Sequence, residues 1–467
     1  MPKKKNKKKK DSTKKGKSSD LRKKTRAKKK SQTKRRKFSP HLLKGMKDIL
    51  PAEQRYWEFV LKKSEELVKS YGFQKISTPI LEEKALFDRS VGEDTEIVEK
   101  QMFTFKDKGG EEVCLRPETT ASIARAYIEH GMINLPQPVK LYYYGPQFRY
   151  EKPQSGRLRQ FHQFGLEVIG DDDPVIDAQV ILISYNLLKE LGIKPSLQIN
   201  SLGCQKCRKK YLRALLNYFR PKKRFLCSDC QKRLLKNPLR ILDCKNPNCQ
   251  EVSDEAPQIV DYLCDECREH FIKVLEYLDK LEIPYNLNPK IVRGLDYYSR
   301  TIFEIWPEDE EVRSQNALAG GGRYDNLVSL LGGRPAPACG VAFGLERIIN
   351  KMKKDNLFPP EKKRFDVFLA QIGIAARKEC LKIFENLRRE KIKVAEAFSK
   401  DGLRQQLEIA NKLGVRITLI LGQKELVEGT IILRDMENGT QEEINIKNVV
   451  AAVKRKLKSR VKKRKLL

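Results

Sequence analysis

The stretch from Tyr144 to Gly170, YGPQFRYEKPQSGRLRQFHQFGLEVIG, is the feature that most constrains the fold. Both halves alternate apolar and polar side chains as β-strands do, and residues 152–156 between them are typical of a hairpin loop. In the second half the apolar face carries Phe164, Leu166 and Val168, and the polar face carries Gln163, Gly165 and Glu167. The stretch therefore predicts two antiparallel strands joined by this loop.

The polar face of the predicted hairpin has a distinctive chemistry. Arg149 and Glu151 share a face of the first half, so that an arginine, two carboxylates and an amide surround a glycine that leaves room for a guest. A polar surface of this composition is suited to binding a small zwitterion and a phosphate. From these residues alone, an amphipathic hairpin with one face in water remains the alternative interpretation.

Residues 148–163, FRYEKPQSGRLRQFHQ, resemble the second signature motif of class II aminoacyl-tRNA synthetases, and RQFHQ is similar to the histidyl-tRNA synthetase family. Five further segments resemble that family in the same order: GMKDILP (45–51), LRPETT (115–120), VRGLDYYSRTIFE (292–304), AGGGRYDNL (319–327) and GVAFGLERI (340–348). The resemblance runs along nearly all of residues 41–450. Six ordered signatures are far more specific than any one of them.

The resemblance implies an α+β fold, in which helices flank the antiparallel sheet of a class II synthetase. A helical, cysteine-rich insertion would interrupt the catalytic domain, and a C-terminal α/β anticodon-binding domain would follow it. The predicted divisions are a disordered polybasic arm (1–38), the first part of the catalytic domain (39–203), the insertion (204–272), the second part of the catalytic domain (273–362), the anticodon-binding domain (363–450) and a basic tail (451–467).

The family's reaction has two steps, which the resemblance implies for this chain. The histidine carboxylate attacks the α-phosphorus of ATP, used with Mg²⁺, to give histidyl-adenylate and diphosphate, and the 3′-terminal ribose of tRNA(His) then takes the histidyl group. Because the substrate carboxylate is the nucleophile, the site must supply positioning and positive charge. No P-loop sequence occurs in the chain, so ATP is not held by that motif.

The resemblance also assigns roles to residues of the signatures. Arg149 and Arg293 would be catalytic on the α-phosphate, and the ATP-binding set would be Arg149, Glu151, Arg293 and Arg347. The histidine-binding set would be Glu118, Thr119, Thr120, Gln163, Glu167, Tyr297, Tyr298 and Tyr324. Within it, Glu167 and Tyr298 would lie at the imidazole, and Glu118, Thr120 and Gln163 near the α-amino group.

Each of these residue types also has a purely structural interpretation. An isolated arginine usually forms a surface salt bridge, and a carboxylate at a helix start, such as Glu118, commonly complements the helix dipole. Since adjacent residues of a strand point to opposite faces, core packing is the alternative for one of Tyr297 and Tyr298. For Arg149, Arg293 and Arg347 the functional interpretation is favoured, because each of them falls in a separate signature.

Eight of the eleven cysteines form four close pairs: Cys204 and Cys207, Cys227 and Cys230, Cys244 and Cys249, and Cys264 and Cys267. Such a pair places two thiolates on a tight turn, and two pairs complete a tetrahedral zinc site. The sequence therefore predicts up to two zinc sites, but it does not determine which pairs combine. Because many members of the family that the chain resembles lack these cysteines, the resemblance implies that the zinc is structural and dispensable to the chemistry. Buried or free thiols are the alternative, and His270 could replace one thiolate.

Most of the net charge of +34 lies at the two ends of the chain. Residues 1–40 hold 21 Lys and Arg against two acids, and residues 448–467 hold nine and no acid. A block of like charge repels itself, which predicts a disordered arm. Binding to a polyanion such as RNA and a merely solvated tail both remain open.

No run approaches the roughly 18 apolar residues of a membrane span, and the first residues lack the apolar segment of a signal peptide. We therefore expect a soluble, cytoplasmic protein with reduced thiols. Residues 72–81 predict a strand that resembles the first class II motif, whose proline, here Pro79, lies at the dimer interface in the family. A homodimer follows from the resemblance, although an ordinary edge strand explains Pro79 equally well.

Hydrophobic periodicity predicts the remaining elements. The predicted helices span residues 54–71, 119–130, 178–191, 273–281, 378–389 and 402–413. The predicted strands span residues 196–200, 291–306, 366–371, 394–398, 417–421, 427–433 and 443–446. From residue 365 onward, the β-α-β-α-β order indicates an independent α/β module.

Two other classes of protein compete with a ligase. One is a non-catalytic synthetase-like protein, such as the regulatory subunit of the first histidine-biosynthetic enzyme. Arg149, Arg293 and Arg347 together, and the C-terminal module that this paralogue typically lacks, argue against it. The other is an RNA-binding protein built on a degenerate synthetase, which is suggested only by the basic ends and the cysteine pairs.

Overall fold

The structure is a computed structural model that describes residues 39–92, 95–151, 157–309, 317–360 and 365–464, with side chains described up to residue 458. The predicted polybasic arm and the predicted hairpin loop at residues 152–156 lie outside the described residues. Within the described ranges, no helix is long and apolar enough to cross a membrane.

The first part of the chain, up to residue 360, contains the elements that build the site. Its strands are β1 (Gln74–Lys75), β2 (Leu81–Glu83), β3 (Phe103–Lys106), β4 (Glu112–Leu115), β5 (Val139–Phe148), β6 (Gln160–Ile169), β7 (Pro195–Ser201), β8 (Tyr285–Leu287), β9 (Ser299–Pro307), β10 (Ala319–Arg323) and β11 (Ala338–Gly344). Its helices are α1 (Pro51–Ser70), α2 (Lys84–Val91), α3 (Thr120–Glu129), α4 (Pro174–Glu190), α5 (Gln205–Phe219), α6 (Ser228–Lys236), α7 (Leu239–Leu242), α8 (Pro247–Asp254), α9 (Asp265–Lys280), α10 (Leu327–Leu330) and α11 (Leu345–Lys354).

Eight of the described strands form one sheet in the order β1-β5-β6-β11-β10-β9-β7-β8. Its central pairs are antiparallel, and only the outer pairs β1–β5 and β7–β8 among the described strands are parallel. The β5–β6 pair runs in register from Val139 opposite Ile169 to Phe148 opposite Gln160, which confirms the predicted antiparallel strands. A smaller sheet has the order β2-β4-β3.

The apolar face of the large sheet packs against four helices. Phe164, Leu166 and Val168 of β6 are fully buried there, as the alternation predicts. They share a core with apolar residues of α1, α4, α9 and α11. Since these helices cover one face of the sheet, the polar side chains of β6 are left for the other face, where a cavity lies.

A buried ion pair ties this sheet to its covering helices. Arg323 of β10 is fully buried, and its guanidinium donates to Asp177 of α4 at 2.5 and 2.9 Å. Its remaining N–H groups donate to the carbonyls of Asp171 and Asp173 and to the Asp325 carboxylate. Buried charges persist only when paired in this way, so the end of β10, and with it the neighbouring Tyr324, has a fixed position.

Residues 72–81 do not form the single strand that the sequence predicts. β1 pairs with β5 of the large sheet, whereas β2 pairs with β4 of the small one. Between them, the Arg116 guanidinium donates to the carbonyls of Thr78, at 2.9 Å, and Pro79, at 3.3 Å. Pro79 has no N–H and so cannot donate a hydrogen bond to a neighbouring strand. The carbonyls of Thr78 and Pro79 accept hydrogen bonds from Arg116 instead of from a strand partner.

A second difference concerns residues 291–306. The strand β9 begins only at Ser299, and residues 291–298 form a loop. The loop is held at both ends by hydrogen bonds, from the side chain of Asn200 to the Ile291 carbonyl and from the Asp296 N–H to the Val91 carbonyl. Residues 291–298 therefore do not extend the strand, and the strand rule that adjacent side chains point to opposite faces does not apply to Tyr297 and Tyr298.

The C-terminal part forms a separate mixed sheet. Its elements are β12 (Val367–Gln371), α12 (Ile374–Arg389), β13 (Val394–Glu396), α13 (Leu403–Lys412), β14 (Ile417–Leu421), α14 (Gln423–Glu428), β15 (Thr430–Asp435), β16 (Gln441–Asn445) and α15 (Val449–Arg464). The order is β13-β12-β14-β15-β16, with β12 parallel to both its neighbours and the later pairs antiparallel. The predicted α/β module is thus present.

Two details of this module differ from the prediction. Val427 lies in α14, and the strand starts at Thr430, because Gly429 ends the helix in the left-handed conformation with φ +69°. Residue 450, the predicted end of the module, falls inside α15, whose Ala452 and Val453 are buried in the module's core. The start of the predicted basic tail is therefore part of a packed helix.

Candidate active site

A cavity of about 1000 Å³ lies over the polar face of the large sheet. It is lined by nine of the residues predicted to bind histidine or ATP: Glu118, Thr120, Arg149, Gln163, Glu167, Arg293, Tyr297, Tyr298 and Tyr324. Three other predicted residues, Thr119, Glu151 and Arg347, lie beside the cavity and do not line it. The volume is at the upper end of ordinary ligand sites, enough for a nucleotide and an amino acid together.

Two glycines, Gly320 and Gly340, line the cavity, and Gly165 lies on the neighbouring strand β6. A Cβ at Gly340 of β11 would fall on the Glu167 carboxylate, and one at Gly165 would fall on the Tyr143 ring. A Cβ at Gly320 of β10 would likewise overlap the Arg293 guanidinium. The functional side chains therefore lie directly on the strand backbones, as is possible only where a neighbouring residue has no side chain.

The central group of the floor is the carboxyl of Glu167. Its residue is only 1% exposed, and its oxygens accept hydrogen bonds from the Thr120 hydroxyl, at 2.8 Å, and from the Tyr324 hydroxyl. Burial raises the pKa of Glu167 from its ordinary 4.5 to about 8, although the two hydroxyls oppose the rise. The carboxyl thus takes up or releases a proton close to neutral pH, which suits a partner that itself carries exchangeable N–H groups.

Glu118 and Thr120 lie at the start of α3. The Glu118 carboxylate accepts from the backbone N–H groups of Thr120, at 2.6 Å, and Ala121, at 2.9 Å, so it does cap the helix as its position predicts. It also lines the cavity, and burial raises its pKa. Thr119, which the resemblance places in the histidine-binding set, does not line the cavity, and its buried hydroxyl accepts from Gln147.

Gln163 presents an unsatisfied acceptor. Its side-chain oxygen is buried and has no hydrogen-bond partner among the described residues. Since Gln163 lines the cavity, this oxygen is available to a donor on a bound molecule. A buried polar atom without a partner is costly, so its presence here indicates a ligand group such as an ammonium.

Three tyrosines form one wall. The rings of Tyr297 and Tyr298 are 4.8 Å apart, and Tyr324 packs edge-on to both. Tyr297 and Tyr298 both line the cavity, as the predicted histidine-binding set has them, and both are also buried in an apolar cluster that includes Ile302. They lie in the loop before β9 and not in a strand, so they do not point to opposite faces of the sheet. The Tyr297 hydroxyl approaches Glu118 at 3.5 Å.

Arg293 lines the cavity next to the tyrosine wall. Its guanidinium pairs with Glu304 at 2.7 Å and stacks over the Tyr298 ring at 5.2 Å. Glu304 is held in turn by the indole N–H of Trp306 at 2.9 Å. The buried Nε of Arg293 has no hydrogen-bond partner within the described part of the chain. The guanidinium is therefore oriented by its neighbours but keeps donor capacity for an anion.

Arg149 is a second buried cation. Its Nε donates to the Pro117 carbonyl at 2.9 Å, and no carboxylate lies within ion-pair distance among the described residues. Burial lowers its pKa, which indicates a charge that its surroundings do not fully compensate. Glu151 pairs with Arg157 at 3.1 Å rather than facing the cavity, and Arg157 does line it.

Arg347 lies just outside the lining. Its guanidinium donates to the Ala317 carbonyl at 2.8 Å, and its charge interacts with Arg157, Glu151, Glu304 and Arg149. Arg347 therefore belongs to the same group of charges as Arg149. Burial lowers the pKa of Arg347 as well.

Several cavity residues were not singled out from the sequence. Glu304 and Gly340 fall inside quoted signatures but show their role only once the strands pair. The insertion adds a charged set that local sequence could not locate: Arg233, Arg240, Asp243 and Lys245. Their charge was visible in the sequence, but their position over the cavity depends on the packing of α6–α8.

The eight paired cysteines form two separate groups. In the outer cluster are Cys204, Cys207, Cys264 and Cys267, and in the inner cluster are Cys227, Cys230, Cys244 and Cys249. Within each group the sulfur atoms all lie within 4.8 Å of one another, and measured Sγ–Sγ distances are 3.6 to 4.0 Å. These are near the roughly 3.8 Å expected around a tetrahedral zinc with 2.3 Å bonds. Backbone N–H groups donate to sulfur in both, from Cys227 to Cys249 and from Cys264 to Cys207.

The antiparallel sheet, the arginine-lined cavity without a P-loop and the separate α/β module define a class II aminoacyl-tRNA synthetase. A family model described as histidyl-tRNA synthetase matches residues 45–214 and 246–348, and one described as anticodon binding domain matches residues 366–456. The chain belongs to the histidyl-tRNA synthetase family, which confirms the resemblance and the predicted α+β fold.

Curated relatives agree with this assignment. The chain is 45% identical to the histidine–tRNA ligase of Dehalococcoides mccartyi strain 195 over 89% of this chain and 99% of that protein. It is also 45% identical to the histidine–tRNA ligase of Thermodesulfovibrio yellowstonii, over 89% and 98%. The apo S. aureus histidyl-tRNA synthetase structure superposes with a TM-score of 0.74 at 35% identity, covering 89% and 100%. The predicted activity, histidine–tRNA ligation, is confirmed.

The raised pKa of Glu167 predicts how stability depends on pH. Between about 4.5 and about 8 the folded protein holds a proton that the unfolded chain releases, so the stability contributed by Glu167 is present at low pH and lost as the pH rises through about 8. Glu167→Gln cannot lose this proton. The unmodified protein should lose stability between pH 5.5 and pH 8.5, whereas Glu167→Gln should not. We therefore expect the stability of Glu167→Gln, relative to that of the unmodified protein, to increase from pH 5.5 to pH 8.5.

Urea unfolding at the two pH values measures this difference. Glu276→Gln, at an exposed position of α9, is the matched control. Its free energy of unfolding should differ from that of the unmodified protein by the same small amount at pH 5.5 and at pH 8.5. A pH-independent difference for Glu167→Gln would contradict a protonated buried carboxyl.

Proposed function

We propose that histidine binds in this cavity over β6 and α3, that ATP binds beside Arg149 and Arg293, and that histidine is activated there. The imidazole binds between Glu167 and the wall formed by Tyr297, Tyr298 and Tyr324. The observation that carries this proposal is the buried carboxyl of Glu167, on the cavity floor, with two hydroxyl donors already in place. It can accept from an imidazole N–H when it is ionised.

The α-amino group of histidine binds at Glu118 and Gln163. This is supported by the ionisable carboxyl of Glu118 and by the unpartnered oxygen of Gln163, both of which line the cavity. An ammonium has three donors and needs acceptors of this kind. A site that hydrogen-bonds a polar ring and an ammonium rejects apolar amino acids by about 10⁴–10⁵ without a second, hydrolytic site.

ATP binds with its α-phosphate between Arg149 and Arg293 and its outer phosphates toward Arg347. The buried charge of Arg149 and the free Nε of Arg293 support this arrangement. Guanidinium groups give permanently charged, forked contacts to phosphate oxygens. Class II synthetases use ATP with Mg²⁺, and we extend this to the present chain: the ion would screen the phosphate charge during the reaction.

The two steps follow from this placement. The carboxylate of histidine, held beside the α-phosphorus, attacks it, and the P–O bond to diphosphate breaks as the arginines stabilise the charge that develops on the α-phosphate. Histidyl-adenylate and diphosphate result. The 3′-terminal ribose hydroxyl of tRNA(His) then attacks the activated carbonyl, and AMP leaves.

A catalytic synthetase is favoured over the two competing classes. Arg149 and Arg293 line one cavity with the predicted histidine-binding residues, which a purely regulatory subunit would not require. The anticodon-binding match at residues 366–456 gives the chain the module that engages tRNA. We place the work of the protein in the cytoplasm, where its thiols stay reduced.

Histidine-dependent exchange of diphosphate into ATP tests this proposal. Exchange should require histidine among the twenty amino acids, and Arg293→Ala should lower its rate by about 10²–10³-fold, because a donor to the transition state is lost. Arg293→Lys should show a smaller loss, since it keeps the charge beside Glu304 but not the fork. Arg404→Ala, at an exposed arginine of α13, is the control and should exchange normally. Exchange that ignores histidine, or survives Arg293→Ala, contradicts the proposal.

We also propose that each cysteine cluster binds one structural zinc. The sulfur spacing fits tetrahedral coordination, and the N–H···S bonds stabilise thiolates as in zinc knuckles. Zinc would hold the helices of the insertion together, and no step of the reaction passes through it. The homodimer rests on family membership and on Ile80, Leu81 and Phe105, which are exposed apolar side chains close to the first class II motif.

Native mass spectrometry tests both statements at once. The purified protein should appear as two chains carrying four zinc ions, because each chain has two clusters. Cys230→Ser and Cys267→Ser should each remove one zinc per chain, since each disrupts a single cluster. A zinc-free protein with an intact fold would contradict the zinc sites, and a single chain at micromolar concentration would contradict the dimer.

A further inference from the structure

The inner cysteine cluster forms part of the active-site wall. Cys244 is a buried cluster cysteine, yet it also lines the cavity, together with its neighbours Asp243 and Lys245. None of the four cysteines of the outer cluster lines the cavity in the part of the chain that the structure describes. The two clusters thus differ in their relation to the site, although their composition is the same.

The loop between Cys244 and Cys249 is a tight, internally bonded turn. Within it, the Asn246 side chain caps α8 by accepting from the N–H of Asn248 at 3.1 Å, and the N–H of Cys244 at its start donates back to the Ile241 carbonyl of α7 at 3.1 Å. Pro247 begins that helix. Both ends of the turn are cluster cysteines, so the cluster sets the position of the residues between them.

Lys245 is the cation that this turn presents. It lines the cavity together with Arg157 and Glu304, and its charge interacts with those two groups and with the neighbouring Asp243. Arg347, beside the cavity, interacts with the same Arg157 and Glu304, so three cations from separate segments lie in one region with acids between them. A group of cations in a cavity attracts a polyanionic ligand such as a triphosphate.

We propose that Lys245 binds the outer phosphates of ATP, and the diphosphate that leaves, and that the inner cluster positions it there. This inference rests on the proposed function, which locates the α-phosphate between Arg149 and Arg293. A lysine gives phosphate a strong point-charge contact and can follow the leaving group as the bond breaks. The outer cluster serves the fold alone.

The first test uses Lys245→Met in the full protein. We expect the KM for ATP in histidine-dependent exchange to rise about tenfold to a hundredfold, because a hydrogen bond between charged groups is lost, while the KM for histidine stays unchanged. Lys206→Met is the matched control: it removes an exposed lysine from between two outer-cluster cysteines and should change neither constant. ATP binding measured by calorimetry should weaken for Lys245→Met in parallel.

The second test compares the clusters. Cys249→Ser and Cys267→Ser should each lose one zinc per chain, but only Cys249→Ser should raise the KM for ATP and weaken ATP binding by calorimetry. In the double variant Lys245→Met with Cys249→Ser, the rise should be no larger than the greater single rise, since both changes remove one contact. Thermal unfolding of the two cysteine variants separates general destabilisation from this effect.

Specific outcomes overturn the inference. An unchanged KM for ATP in Lys245→Met would remove the phosphate contact, and unimpaired exchange with slowed transfer to tRNA would assign Lys245 to the tRNA end instead. Equal rises in the KM for ATP for both cysteine variants would remove the positioning role of the inner cluster. If the unmodified protein shows no histidine-dependent exchange, the proposed function itself fails.

Discussion

The alternation of side chains along β6 is the constraint on which the site depends. It sends Phe164, Leu166 and Val168 into the core and leaves Gln163 and Glu167 on the cavity side. A one-residue shift of register would exchange the two sets, burying a carboxyl in the core and opening the apolar side chains to the cavity. The cost of both changes fixes the register, and fixed register in turn sets Gly340 opposite Glu167. The chemistry of the site therefore follows from the packing of the sheet.

The parts of the structure that depend on local periodicity could be predicted from the sequence. The hairpin strands, the helix start at Glu118 and the cavity positions of Arg149 and Arg293 all follow from alternation or from the signatures. Prediction from local sequence failed where tertiary contacts decide. The predicted strand at residues 72–81 is interrupted at Pro79, whose carbonyl accepts from Arg116, and residues 291–298 form a loop instead of the start of β9. Thr119 lies outside the cavity lining, where its hydroxyl accepts from Gln147 on a different element.

The pairing of the cysteines shows the same limit. Four pairs predict two four-thiolate groups, but only the packing of the insertion joins the first pair to the last and the second to the third. That nested arrangement brings the inner group to the active site and keeps the outer group at the junction of α5 and α9. An insertion that closes one wall of the cavity thus contributes charge to a site whose main residues come from the sheet.

The central claim is that one buried carboxyl recognises the imidazole while fixed guanidinium groups hold the nucleotide. A crystal structure with a non-hydrolysable analogue of histidyl-adenylate tests it most directly. The account predicts an imidazole nitrogen about 2.7–3.2 Å from a Glu167 oxygen and the Arg293 guanidinium on the oxygens that stand for the α-phosphate. An imidazole bound away from Glu167, or an Arg293 that contacts only Glu304, would contradict it.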